Sequence, residues 1–507
     1  MTTTDHSKES NFLLFILLLF VAGVPFITFT VLILRYFYAL GAGWGDAGVL
    51  ASVMWHSDLL LHTPKVAGGA SFFETHMTPI FIPISFISRF LPLTKVQFFS
   101  VFSGLCAMLP AIAVYWMLVS AYRMNSPLKL IAAAVLSLLF AFNGITLAAT
   151  RNPHFEMLII GSSMLFFVAF TQRKTFLAIL FFVICLTTRE DAGLDLFALI
   201  AVATGISLWK GVPLSRKKHL LIFGICGLGY SIGVVILQRT LFPGGDALVR
   251  VYLGAPPFSG VSWAEIMNRL AFYAAYRLYI FLPAFVALAW AIRIRNPYIF
   301  SGYISFIPWL ILNLFATSPF ASTLSNYYSF PFILSLFWPL IGLLLESPKT
   351  APPTIAGANP VLVFMLMLLT SFFDVGSQQN PQNINFPESF FVVPTLAQQS
   401  ATDTAIKSFA QASSALGNVV VDGGIVALDP DHYFQSQLVW ATQKKHPDTI
   451  IYFSHGQGTK YAIAMAAQAH LQYLYQVPDT TLRVATDRML TGLDGLIALK
   501  SGEQSGG

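Results

Sequence analysis

Charge is scarce in this chain. Only 10% of its 507 residues are charged, and 56% are hydrophobic, whereas a soluble domain carries about 25% charged residues. With a mean hydropathy of +0.68, that shortage excludes an ordinary soluble domain. Cysteine is almost absent as well. Cys106, Cys185 and Cys226 all fall inside apolar runs, which excludes a disulfide framework or cysteine-based metal spacing and leaves them as small packing residues. Familiar catalytic signatures are missing too. No HExxH occurs, and "HGQGTK" at 455–460 lacks the Walker A spacing. His154-Phe-Glu156 has the H-x-E form of the zinc deaminases but no partner Cys-x-x-Cys. The formal charge of +6 is no nucleic-acid signal, because the basic residues lie mostly in short loops between apolar runs, where they set membrane topology.

Those runs are what the chain has in abundance. A helix crosses a bilayer in roughly 20 residues, and the sequence predicts about eleven spans, at 12–36, 96–120, 128–149, 154–171, 174–188, 192–209, 219–238, 274–292, 297–316, 328–345 and 359–373. The run from Asn11 to Arg35 is too long for a signal peptide and lacks a small-residue cleavage site, so it reads as a retained first span. With the N-terminus cytoplasmic, the inner loops hold Arg123, Lys129, Arg173, Lys174, Lys210, Arg216, Lys217, Lys218, Arg293, Arg295 and Lys349. All of them are basic, as the positive-inside rule requires. Two further segments, 47–61 and 263–273, read as helices lying in the interface, the first on apolar positions Val49, Leu50, Val53, Met54 and Leu60. From Asp374 onward apolar runs shorten. "NVVVDGG", "DTIIYF" and "TTLRVA" read as strands and Gly458–Tyr475 as a helix. The expectation is an α-helical polytopic membrane protein, with a transmembrane domain at 1–373 and an extracytoplasmic α/β domain at 374–507.

The outer face carries the unexplained polar groups. Asp46 follows a glycine-rich stretch, where a helix N-cap alone would explain a carboxylate. Glu74 and His76 precede a segment returning to the membrane. Arg151, Asn152, His154 and Glu156 crowd the loop before the fourth span, and Arg189, Glu190 and Asp191 link the fifth and sixth. Asp195 lies one turn into a span, where ionisable residues tend to be functional, and Arg277 raises the same question or snorkels to the interface. Each cluster alone has an ordinary reading as a turn, cap or solvated loop. All of them on one side point to a polar cavity at the outer interface.

Asp46, "HMTP" at 76–79, "NPHFE" at 152–156 and "RED" at 189–191 occur in an order that resembles a family of bacterial membrane proteins related to the GT-C glycosyltransferases. The resemblance covers roughly residues 10–345. It implies transfer of a sugar from a polyprenyl-phosphate donor to a cell-envelope glycan, lipid or protein acceptor on the outer face of the bacterial plasma (inner) membrane, with inversion. Asp46 would then be the general base. Arg151, Arg189 and Arg277 are candidate phosphate partners. Glu156, Glu190, His76 and His154 would bind sugar hydroxyls or a divalent cation (Mg or Mn), with Asn152, Asp191 and Tyr327 completing the substrate-binding set. One departure stands out: relatives often carry a His-Tyr pair entering a late span, where this chain has Asn326-Tyr327-Tyr328. Two other readings fit the same residues. A transporter or flippase of a lipid-linked or anionic substrate would keep its charges nearer the midplane and show paired halves, and a non-catalytic assembly protein would use the C-terminal domain to bind a partner.

Overall fold

A computed structural model describes residues 3–39, 45–56, 58–64, 69–124, 126–150, 153–212, 218–242, 253–254, 256, 261–346, 359–373, 393–429, 435–436, 446–454, 459–490 and 496–499. The chain divides into two compact units. The first comprises Met1–Ile27, Phe73–Ile80 and Ser103–Gln379, and the second Thr28–Phe72, Phe81–Phe102 and Asn380–Gly507.

Helices dominate. In chain order they include α1 (Thr3–Tyr38), α2 (Gly45–His56), α3 (Phe81–Ser88), α4 (Lys95–Ser120), α5 (Pro127–Ala141), α6 (Gly144–Ala149), α7 (Glu156–Thr171), α8 (Thr175–Thr188), α9 (Ala192–Trp209) and α10 (Lys218–Leu241). There follow α11 (Trp263–Tyr276), α12 (Leu278–Arg293), α13 (Ser301–Ser305), α14 (Ile307–Leu314), α15 (Pro331–Glu346) and α16 (Pro360–Thr370). Among the described residues six helical stretches are long and apolar enough to cross a membrane, or seven if α11 and α12 form one broken span. The expected spans 154–171, 174–188 and 359–373 are shorter apolar helices, α7, α8 and α16. The expected span 297–316 is divided into a 3-10 turn, α13 and α14, because Pro308 at the start of α14 has no N–H to continue a helical ladder. The segments 263–273 and 274–292 form the helices α11 and α12, bent by 79° with the break at Arg277.

In the first unit α7 packs along α8, and α9 along α10. The second pair approaches closely at glycines: a Cβ on Gly193 would lie 2.1 Å from the Gly227 carbonyl oxygen. Hydrogen bonds from Ile80 N–H to the Thr187 carbonyl (3.0 Å) and from Gln238 Nε2 to the Phe73 carbonyl (2.8 Å) tie the short segment 73–80 to the ends of α8 and α10. These contacts hold segment 73–80 against the C-terminal ends of α8 and α10.

The second unit holds the sheet. Its strands are β1 (Val419–Val421), β2 (Gln435–Ser436), β3 (Thr449–Phe453), β4 (Tyr473–Gln476), β5 (Leu482–Thr486) and β6 (Ile497–Leu499), in the order β2-β1-β3-β5-β4-β6. β2, β1 and β3 are parallel and the rest antiparallel. Val420, Ile450, Tyr452, Ala462, Met465, Leu474 and Ala485 form its buried core. Helices of its C-terminal stretch include α17 (Leu396–Gln411), opened by a Thr395–Gln398 capping box, α18 (Gly423–Leu428) and α19 (Thr459–Gln468). The helix expected over 458–475 is therefore shorter, since His470 adopts φ +54 and the alternating Tyr473-Leu474-Tyr475 run pairs as β4. The helix expected over 47–61 ends at His56, after which the Asp58 carboxylate accepts from the Leu60 and His62 N–H groups. α2 meets α18 across Gly48, where a Cβ would lie 2.4 Å from the Ala427 backbone.

Candidate functional site

The end of the first unit is organised by three chain turns. Residues 153–155 lead into α7, whose first residue is Glu156; residues 189–191 join α8 to α9; and segment 73–80 carries His76. Arg189 is the hub. Its Nη1 donates to Glu156 Oε1 at 2.6 Å, while Nε and Nη2 bind the two oxygens of Asp191 at 2.5 and 2.6 Å. The other Glu156 oxygen is bonded to His154 Nδ1. Glu190 turns the other way: Oε1 pairs with His76 Nδ1 at 3.0 Å, and Oε2 accepts the Met77 N–H at 2.9 Å. The Glu156 side chain is 1% exposed, Arg189 6% and Glu190 5%. Ionised groups this buried cost several kcal/mol each unless paired and hydrogen-bonded, and here they are both.

Aromatic rings fix the imidazoles. His154 stacks on Tyr327 with centroids 4.3 Å apart and lies 4.5 Å from Phe155, which also meets His76 edge-on at 5.6 Å. Tyr327 in turn stacks on Tyr328, and its hydroxyl donates to the Tyr328 hydroxyl at 3.2 Å. The Phe330 ring lies 5.2 Å from the Arg189 guanidinium carbon. Phe155, Tyr328 and Phe330 were not candidates from sequence, because an aromatic residue among 46 phenylalanines and 18 tyrosines carries no signal of its own.

The electrostatics follow from the pairing. Burial pulls the His76 imidazole down, but the Glu190 carboxylate beside it outweighs this and raises its pKa above the ordinary value. Burial works against ionised Glu190 as well, and His76 and Arg189 more than compensate, lowering it. The guanidinium of Arg189, with Asp191 and Glu156 outweighing its burial, is held firmly protonated. The cluster can thus favour a protonated imidazole in a buried setting.

Asp46 is exposed in the first turn of α2, in the second unit. The helix starts at Gly45, so Asp46 stands just inside it, where a carboxylate favours the helix dipole. Arg151 and Asn152 lie outside the described residues. Arg277 sits at the break between α11 and α12. Its guanidinium donates to the Thr323 carbonyl (2.7 Å), the Tyr276 carbonyl (2.8 Å) and Ser325 Oγ (2.9 Å), so it holds a turn together. Asp195 has one buried oxygen with no hydrogen-bond partner among the described residues. Gly229-Tyr-Ser-Ile-Gly233 has the form of a nucleophile elbow but lies inside α10, without the strand-to-helix turn that exposes such a serine.

A divalent cation does not fit these donors. Among the described residues no group of three or more His, Cys, Asp or Glu is placed to hold a metal. Both Glu156 oxygens and both Glu190 oxygens are already engaged by nitrogen donors, with a guanidinium at the centre.

Fold and site together define a multi-pass membrane protein with a small C-terminal sheet and a buried, charge-paired cluster at one end of its helices. No family model and no curated protein matches the chain. Among solved structures it is similar to the crystal structure of ArnT from Cupriavidus metallidurans bound to undecaprenyl phosphate. The match has 12% identity and a TM-score of 0.46, covering 93% of this chain and 98% of that one.

Proposed function

We propose that the chain is an integral membrane glycosyltransferase of the GT-C kind, moving a sugar from a polyprenyl-phosphate donor to an extracytoplasmic acceptor with inversion. The observation that carries this reading is the buried network of His76, Glu190, His154, Glu156, Arg189 and Asp191. A membrane protein so poor in charge keeps six ionisable groups together in one cluster, and buried perturbed groups concentrate at functional sites. The motif order around them supports the reaction class.

In this reading the acceptor hydroxyl oxygen attacks the anomeric carbon from the face opposite the phosphate. The bond from that carbon to the phosphate oxygen breaks, and its electron pair leaves with the lipid phosphate. Asp46 takes the hydroxyl proton as general base. The departing phosphate gains negative charge and needs a fixed cationic donor. His76, whose protonated form Glu190 favours, is the group suited to that task. Arg189 acts as a positioning residue, orienting Glu156 and Asp191. Arg151, Asn152, Arg277 and Tyr327 remain substrate-binding proposals, and no step is routed through a metal. The N-terminus is proposed to be cytoplasmic and the C-terminal domain extracytoplasmic.

The test is Asp46→Asn in proteoliposomes with an isotope-labelled undecaprenyl-phosphate sugar and envelope extract as acceptor. A general base contributes about 10²- to 10⁴-fold, so transfer should fall by at least 100-fold while donor binding persists. Undiminished transfer in the variant would remove Asp46 from the mechanism. Movement of the labelled lipid across the bilayer with no new glycosidic bond would establish a flippase instead.

A further inference from the structure

The second unit contains a cavity of about 460 Å³ that the transfer chemistry above does not use. Its volume is within the roughly 300–1,000 Å³ typical of small-molecule sites. It lies beside the C-terminal end of α2, lined there by Trp55 and His56. Asp46 stands at the other end of that helix, nine residues earlier, about 13 Å away at 1.5 Å per residue.

Four charged side chains line the cavity, and their charges cancel. Lys95 Nζ lies 3.5 Å from Asp429 Oδ1. Asp403 accepts a hydrogen bond from the Tyr38 hydroxyl at 3.2 Å and also feels the field of Lys407. An inorganic anion would need unopposed cations, and each lysine here is opposed by a carboxylate. A divalent cation is excluded on donor grounds, as no metal-holding group exists among the described residues. A purely apolar ligand would strand four charges. The half-buried Trp55 ring leans on Phe98 at 6.3 Å and lines the cavity, with Ile406 and Leu428 as aliphatic wall. An indole face, carboxylates that accept from adjacent hydroxyls and ammonium groups that donate to ring oxygens suit a ring carrying hydroxyls on its edge and C–H bonds on its face.

We propose that this cavity is a carbohydrate-binding site, taking an uncharged sugar ring stacked on Trp55 with its hydroxyls bonded to Asp403, Asp429 and Lys95. The site is independent of the glycosyltransferase reading, because its test reads binding and not turnover. The full chain in lipid nanodiscs, which avoid sugar-headed detergents, is titrated with glucose, galactose, N-acetylglucosamine and maltose and followed by saturation-transfer NMR. At least one sugar should bind, with transfer strongest to ring C–H protons. Its Kd should rise tenfold or more in both Trp55→Ala and Asp403→Asn, the latter still able to accept from Tyr38 and so to keep the local fold. Three results overturn the proposal: no transfer to any of the four sugars, unchanged affinity in Asp403→Asn, or displacement of the sugar by inorganic phosphate or alanyl-alanine at equal concentration. Retained sugar binding in Asp46→Asn, alongside lost transfer, would show the two sites to be separate.

Discussion

The Arg189–Glu156 pair should behave as one coupled unit, and a double-mutant cycle measures this. Arg189→Met removes the guanidinium and keeps an unbranched chain of similar reach. It leaves Glu156, 1% exposed, with His154 as its remaining partner, and takes the guanidinium from Asp191, 22% exposed. Removing one partner of a buried pair costs about 3–5 kcal/mol, and the loss of a guanidinium from two carboxylates at once places this variant at the upper end. Glu156→Gln is milder, near about 3 kcal/mol, because the amide oxygen can still accept from Arg189 Nη1, now 2.6 Å from Glu156. The double variant leaves only Asp191 uncompensated, so its cost should fall short of the sum of the singles by at least about 1.5 kcal/mol, within the range found for residues in contact. Reversible unfolding in lipid–detergent mixed micelles supplies the four free energies. Additivity to within about 0.5 kcal/mol would refute the pairing. Equal stability of Arg189→Met and the parent would refute the burial argument as well.

Three further outcomes follow from particular contacts. His76 is raised above 6.5 in the folded chain, so its contribution is complete below that pH and lost as pH rises through the folded value; Glu190 is lowered below 4.5, so its contribution is present above that pH and lost on acidification through the folded value. The pair should therefore stabilise most between about pH 4.5 and 6.5, a maximum that flattens in Glu190→Gln when melting temperature is followed against pH. Asp422 caps α18 through the Gly424 N–H (3.1 Å), and burial pushes it from 3.8 to about 6. Its ionisation at neutral pH opposes folding by up to about 3 kcal/mol at about 1.36 kcal/mol per pH unit, so Asp422→Asn should stabilise the second unit at pH 7.5 and make little difference at pH 3.5 in thermal melts. Gly48→Ala would press a methyl group against the Ala427 backbone, 2.4 Å from where the Cβ falls. Overpacking of that kind costs about 1–3 kcal/mol, seen as faster proteolysis of the second unit.

Elements that depend on local pattern were legible in the sequence, and those that depend on distant partners were not. Apolar runs announce helices because a span needs about twenty apolar residues whatever surrounds it. β1, β3 and β5 were readable as compact β-branched runs, whereas β4 was hidden inside an apparent helix, since Leu471–Tyr475 fits either period over so few residues. The membership of the second unit was not visible. Residues 28–72 and 81–102 join residues beyond 380, and the contact that joins α2 to α18 is a bare glycine, Gly48, against Ala427, separated by most of the chain. No local propensity encodes such a pairing.

The site divides along the same line. Residue type and membrane side marked His76, His154, Glu156, Arg189, Glu190 and Asp191, because a charge beside an apolar run is costly and so conspicuous. Which groups would pair was not legible. His76 meets Glu190 across 114 residues, and Arg189 selects Glu156 and Asp191 over its neighbour Glu190. That selection decides the chemistry. Three consecutive ionisable residues, Arg189, Glu190 and Asp191, could have formed one local ion cluster; the turn instead aims Glu190 at a histidine and Arg189 at two other carboxylates. The arginine is neutralised in place, and Glu190 favours the protonated form of His76. A phosphate clamp read from Arg189 alone would therefore predict loss of donor binding in Arg189→Lys, whereas the observed pairing predicts lost stability and a shifted pH profile, with donor affinity changed less than threefold.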